Sequence, residues 1–167
     1  RMYGYDYGWK DPRVLIEFAK TPYEQYAAID CYYESGKPVE DAIQWLRDND
    51  KPVGPIYCDH DPEHIDKFRQ AGYGAEAATK DLDQGISEVK EVLETDESGR
   101  PGLIVADHLT ELIQEFQSYK EDDVATSRAD DHCLDVTRYA IMGERYSGDH
   151  ETKRRRGSSR GRRTITR

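Results

Sequence analysis

The apolar positions of this chain fall into two different rhythms. Over residues 2–7, 14–19 and 25–33 apolar and aromatic side chains alternate or run together, and short turn-rich spacers separate the three stretches. That pattern predicts three strands joined as an antiparallel meander. From residue 38 the rhythm changes. Val39, Ala42, Ile43 and Leu46 recur at i, i+3, i+4 and i+7, which predicts an amphipathic helix over 38–49. A short buried strand is expected at 55–58. Asp61-Pro62 then opens a second helix with an acid at the N-cap and Pro at the first helical position, running to about Gln70 and stopping at Gly72. A weak strand is expected over 73–79, a third helix around Ile86, Val89 and Leu93, a strand at 103–106 and a fourth helix through Leu109, Leu112, Ile113 and Phe116. Residues 120–128 read as a polar loop. Residues 130–142 read as a fifth helix, with Gly143 as its C-cap.

A three-stranded meander followed by alternating helices and strands implies an α/β fold. Its central sheet is mixed, the meander joined by parallel strands, and helices cover both faces. A ribonuclease H-like fold has this order. A doubly wound dinucleotide-binding domain begins βαβ and does not. Neither a GxGxxG nor a GxxxxGK[ST] motif is present, so nucleotide binding by those loops is not supported.

Composition adds an asymmetry. The 167 residues carry a net charge of -10. Eight of the 24 Lys and Arg lie in the last fifteen residues, 153–167, which contain no acid. The rest holds 16 basic against 34 acidic side chains, a net of -18. Residues 1–150 are therefore read as the folded domain and 151–167 as a basic, disordered tail. Its Arg154, Arg155, Arg156, Arg160, Arg162 and Arg163 are candidate DNA-phosphate contacts; the alternative is a merely solubilising terminus. The N-terminal ten residues have no apolar core of a signal peptide, and read as a strand entered abruptly, as if a preceding domain were missing. No run approaches a membrane span. Three widely spaced cysteines form no CxxC pair, which argues against a zinc ribbon or a disulfide framework and for a reducing compartment.

Three acids stand out by position. Asp6 lies within the first strand, where Asp is disfavoured, and its neighbours Tyr5 and Tyr7 face the opposite side. Asp59 follows the buried 55–58 strand, at the end where open α/β sheets place ligands. Asp135 lies inside the last helix, with Asp131 at i−4, His132 at i−3 and Arg138 at i+3. Each has a plainer reading: a turn acid, a helix cap, a carboxylate neutralised by Arg138. Jointly they suit two hard cations that clamp the attacking and leaving oxygens of a phosphodiester, because Mg²⁺ and Mn²⁺ prefer carboxylate oxygen. His60 and His64 flank Asp59 and could ligate metal, but are expected rather on the solvent side of their helix. Cys58 and Cys133 are expected in the core, as are Tyr3, Tyr5, Trp9, Tyr32 and Tyr33. Lys80 could reach a DNA phosphate or the site, or simply be solvated. Glu115 could support the site or only decorate the surface.

GYDYG at 4–8, YCDHDPEHI at 57–65 and DDHCLDVTRYAI at 130–141 resemble the nuclease domain of the phage terminase large subunit. IDCYYESGK, ATKDLDQGISEVKEVL and LIVADHLTELIQEFQSY resemble its intervening segments, so the likeness covers about residues 2–143 in order. Asp131 stands where many members have Asn, and Cys31 where a Glu often follows the strand Asp. The resemblance implies a ribonuclease H-like endonuclease that uses two Mg²⁺ or Mn²⁺ ions to cut concatemeric double-stranded DNA in viral genome packaging. Asp6, Asp59 and Asp135 match the metal-binding acids; His132 and Asp131 are further possible ligands. It implies the portal and the small terminase subunit as partners, no membrane, and the host cell cytoplasm as the place of action. Without a phosphate loop the chain is expected to cut DNA but not to translocate it. The rival readings are another ribonuclease H-like nuclease, such as a resolvase or transposase core, and a catalytically silent module that docks on DNA or portal.

Overall fold

The computed structural model describes residues 1–119 and 131–158, with side chains as far as Tyr146. The chain order is β1 (Met2–Asp6), β2 (Arg13–Lys20), β3 (Tyr26–Glu34), α1 (Val39–Asp48), β4 (Pro55–Cys58), α2 (Pro62–Gln70), β5 (Gly74–Ala77), α3 (Leu82–Leu93), β6 (Leu103–Val105), α4 (Thr110–Ser118) and α5 (His132–Ser158). The six strands form one sheet in the order β5-β4-β1-β2-β3-β6. β1, β2 and β3 pair antiparallel. β4 adds parallel to β1, β5 parallel to β4 and β6 parallel to β3. The expected meander, mixed sheet and helix order are all present. The expected loop at 120–128 lies outside the described residues.

Alternation along the strands divides the core in two. Tyr3, Tyr5, Leu15 and Ile56 pack with Val39, Ala42, Ile43 and Leu46 of α1 and with Ile65 and Phe68 of α2. Met2, Val14, Ile16 and Phe18 pack on the other face with Cys133, Val136, Tyr139, Ala140 and Ile141 of α5, joined by Val92 of α3 and Leu112 of α4. α2 starts as expected, Asp61 accepting from the backbone N–H groups of Glu63 and His64.

The fifth helix departs from expectation. Gly143 does not end it; α5 runs to Ser158, so helical backbone enters the segment read as a disordered tail. The physical need for glycine at 143 is contact. A Cβ there would lie 2.1 Å from the Tyr57 ring, so the glycine lets α5 lie flat on β4 where a C-cap role was expected. Gly4 does the same on β1: a Cβ would meet the Val136 carbonyl oxygen at 2.2 Å. These two close approaches press α5 onto the sheet directly beside its central strands.

Candidate active site

β1 and β4 are parallel neighbours in the register Tyr5↔Cys58, and the Asp59 N–H donates to the Tyr5 carbonyl at 2.9 Å. Asp6 and Asp59 thus end adjacent strands side by side. The contact of Gly4 with Val136 brings the preceding residue, Asp135, over the same strand ends. Three chain segments, 129 residues apart at the extremes, therefore deliver one carboxylate each to one edge of the sheet.

The electrostatics confirm their convergence. Asp6 is 8% exposed. Burial lifts its carboxyl above the usual range, the bond to His132 opposes this, and the charges of Asp135 and Asp59 lift it further. Asp131 is raised in the same sense by burial and by Asp135 and Asp6. Tyr139, three residues beyond Val136, is pushed up by burial and then by Asp135 and Asp6, and its hydroxyl donates to Asp135 Oδ2 at 3.4 Å.

Each of the three acids also meets a basic side chain. His132 Nδ1 stands 3.1 Å from Asp6 Oδ2, a bond that raises the imidazole above its ordinary value despite burial. Arg138 Nη2 donates to Asp135 Oδ1 at 2.7 Å, so the arginine does neutralise that acid. Lys80 pairs with Asp59, which places it on the site, one of the positions open to it from the sequence. Among the described residues no three His, Cys, Asp or Glu groups stand at metal-holding distance around one point. The donor set nevertheless fits a hard cation: carboxylates only, one of them buried and repelled by its neighbours, with an imidazole at its side.

Glu115 is the residue whose importance the pattern left open. It is buried on α4 and accepts from the backbone N–H groups of Cys133 and Leu134 at 2.8 and 3.0 Å. It caps the first turn of α5 from another helix. Burial lifts its carboxyl to about 7 against the pull of those N–H groups. Its place four residues past Glu111 and three past Leu112, on the apolar stripe of α4, was the available signal. Arg138 was visible only as a partner for Asp135. The structure adds that its side chain crosses α3 at Gly85, where a Cβ would lie 2.4 Å from its Cδ.

Two further expectations are corrected. His64 is buried, its Nδ1 3.1 Å from the Tyr5 hydroxyl, because α2 presents that position to the sheet; His60 is exposed as expected. Trp9 is largely exposed in the β1–β2 turn, whereas Tyr3, Tyr5 and Tyr32 are core. The arginines of 154–163 have no described side chains.

A mixed six-stranded sheet with acids at the ends of its two central parallel strands and on a helix packed across them defines a ribonuclease H-like domain. The family model described as the terminase RNaseH-like domain matches residues 10–144, and the chain belongs to that family. Three solved structures share the fold. The nuclease domain of the P22 large terminase superposes with a TM-score of 0.67 at 19% identity, covering 87% of this chain and 81% of that one. The large terminase of the thermophilic bacteriophage D6E in complex with ATP-gamma-S gives 0.68 at 19%, covering 85% of this chain and 39% of that protein. The nuclease domain of the large terminase g2p from bacteriophage SPP1, a structure with bound Mn, gives 0.60 at 21%, covering 86% and 84%. No curated protein matches in sequence. Among the described residues no helix is long and apolar enough to cross a membrane.

Proposed function

We propose that this chain is the metal-dependent DNA endonuclease domain of a viral packaging terminase, cutting concatemeric double-stranded DNA. The observation that carries the reading is the buried Asp6 carboxylate, held in the fields of Asp59 and Asp135 from two other elements. Like charges gathered at that depth are costly unless a cation offsets them. Asp6, Asp59 and Asp135 would hold two Mg²⁺ or Mn²⁺ ions, with Asp131 and His132 at their margin; such ions supply Lewis-acid stabilisation of a phosphodiester and a more acidic water. The chain's own residues do the rest. Asp6 is aimed by β1 and by His132. Asp135 is fixed by Arg138 and by α5, whose first turn Glu115 holds. The Mn named for the SPP1 structure supports the choice of ion.

DNA, portal and small terminase subunit are the proposed partners, with the host cytoplasm as the setting. The basic residues 154–163 and Lys80 are proposed to add phosphate contacts. The test is cleavage of supercoiled and linear plasmid by the full chain in Mg²⁺, Mn²⁺ and EDTA, beside Asp6→Asn, Asp59→Asn and Asp135→Asn. Cutting that needs metal and all three acids is the expected result.

One observation favours a silent docking module: Arg138 and Lys80 already compensate Asp135 and Asp59. Metal-independent DNA binding without any cutting would decide for it.

A further inference from the structure

The three basic partners of the acids are not equally tethered. The Arg138 side chain is 8% exposed and ion-paired to Asp135 at 2.7 Å. Its guanidinium lies 4.8 Å from the Tyr139 ring centroid, and its stem threads the gap that Gly85 leaves in α3. Ion pair, ring and glycine gap together hold this planar group in place. His132 is half-buried in the first turn of α5, and its ring is held by Asp6. Lys80 differs from both. It lies in the connection between β5 and α3, its side chain is 46% exposed, and its ammonium ends a flexible four-carbon stem.

We propose that Lys80 is a placeholder cation: it neutralises Asp59 in the metal-free protein, is expelled when a divalent ion reaches that carboxylate, and then holds a phosphate of the DNA strand. This rests on the metal-dependent reading above and adds an order of events to it. A dication and an ammonium on one carboxylate repel each other, and in a site of reduced dielectric that repulsion exceeds the value of an exposed pair. The more mobile cation leaves. Arg138 cannot, so Asp135 keeps its counter-charge through the cycle while Asp59 exchanges its own. The released ammonium stands at the mouth of an acidic site, where the nearest incoming anion is the backbone of the DNA being cut. Metal loading thereby turns one side chain from a site-filling group into a DNA contact, and ties DNA grip to readiness for cutting.

Two measurements without turnover test this. The first is Mn²⁺ binding to the full chain by electron paramagnetic resonance. Lys80→Met should bind Mn²⁺ roughly five-fold more tightly than the parent, since the ion no longer displaces an ion pair. The second is the salt dependence of binding a 20-base-pair duplex. In Ca²⁺, the parent should lose about 3.5-fold more affinity than Lys80→Met between 50 and 200 mM salt, the effect of one phosphate contact. In EDTA the two should match. Asp59→Asn in EDTA frees Lys80 without metal and should gain that same increment of slope. Equal Mn²⁺ affinity in Lys80→Met and parent, or a duplex affinity that Asp59→Asn in EDTA leaves unmoved, overturns the proposal. Asp59→Asn also removes a negative charge, so the deciding comparison is Asp59→Asn against Asp59→Asn/Lys80→Met in EDTA; it contains no metal, and an equal salt slope in the two overturns the role of Lys80 even where a parent that binds no Mn²⁺ has sunk the metal-dependent reading.

Discussion

The two faces of the sheet handle buried charge in opposite ways. Towards α1 and α2, Glu17 is buried but complete, paired with Lys51 at 2.9 Å and with Arg1 at 3.0 Å. His64 on that side is lowered by burial and stays neutral against Tyr5. Towards α5, Asp6, Asp131 and Glu115 are all raised, chiefly by burial, and Asp6 and Asp131 repel Asp135 as well. On the first face the acid is paired within the fold, and the charge left short of partners, Arg13, is positive. The other retains an excess of negative charge at a place that three segments must reach together. Stability alone does not call for that excess, and this is the face on which the proposed chemistry lies.

The largest expected effect tests that mark. Asn at Asp6, Asp59 or Asp135 should lower plasmid cutting by on the order of 10³-fold or more, since each would remove charge aimed at the proposed ions. Thermal melts should then separate the acids. Asp6→Asn relieves repulsion in a buried site and should raise the melting temperature in EDTA. Asp135→Asn strips a buried arginine, whose Nη1 already lacks a partner, and should cost roughly 1–3 kcal/mol. Equal melts for the two variants would remove the asymmetry.

Next in size is Gly4→Ala. It drives a methyl group into the Val136 carbonyl and should cost roughly 3 kcal/mol in urea unfolding. Gly74→Ala, on the edge strand with only Pro55 Cα at 3.8 Å, is the control and should change little.

Glu115→Ala should cost about 1–2 kcal/mol by uncapping α5. Glu115→Gln keeps an acceptor and isolates the titration. With the folded carboxyl at about 7 against 4.5 when unfolded, the native protein binds the proton more tightly. This group's contribution is therefore fully present below about 4.5 and lost as pH rises through 7. Denaturant midpoints across pH 4.5–8 should fall less steeply in Glu115→Gln. For His132 the sign concerns activity. Its raised value keeps the imidazolium, a competitor for Asp6, to higher pH than a free histidine, so the acidic limb of the cutting profile should lie above 6.5 and move in His132→Ala.

The smallest effect belongs to the opposite face. Arg13 is 1% exposed with Nε and Nη1 unpartnered, held by one long bond to the Gly8 carbonyl and by the Tyr7 ring. Arg13→Met should shift stability by no more than about 1 kcal/mol, in either direction, and leave metal binding intact. A large loss of Mn²⁺ affinity there would show that the faces are not independent.

Local periodicity and helix-start signals were enough to read the presence of every strand and helix described here, though not the extent of α5, because burial on one face imprints a period of two or 3.6 on the chain. It also singled out Asp6, Asp59 and Asp135, since a carboxylate inside a strand, at a strand end or within an apolar helix is conspicuous by itself. Tertiary structure decided the rest. Gly143 looks like a helix stop until Tyr57 is known to lie against it. His64 looks like a surface residue, and Glu115 is undecided between site and surface, until the sheet and α5 close over them. The pairing of Lys80 with Asp59 and of His132 with Asp6, the latter 126 positions apart, depends on which elements become neighbours. Hydrophobic pattern is a property of short windows, whereas charge compensation and desolvation are set by whatever the fold places within a few ångströms.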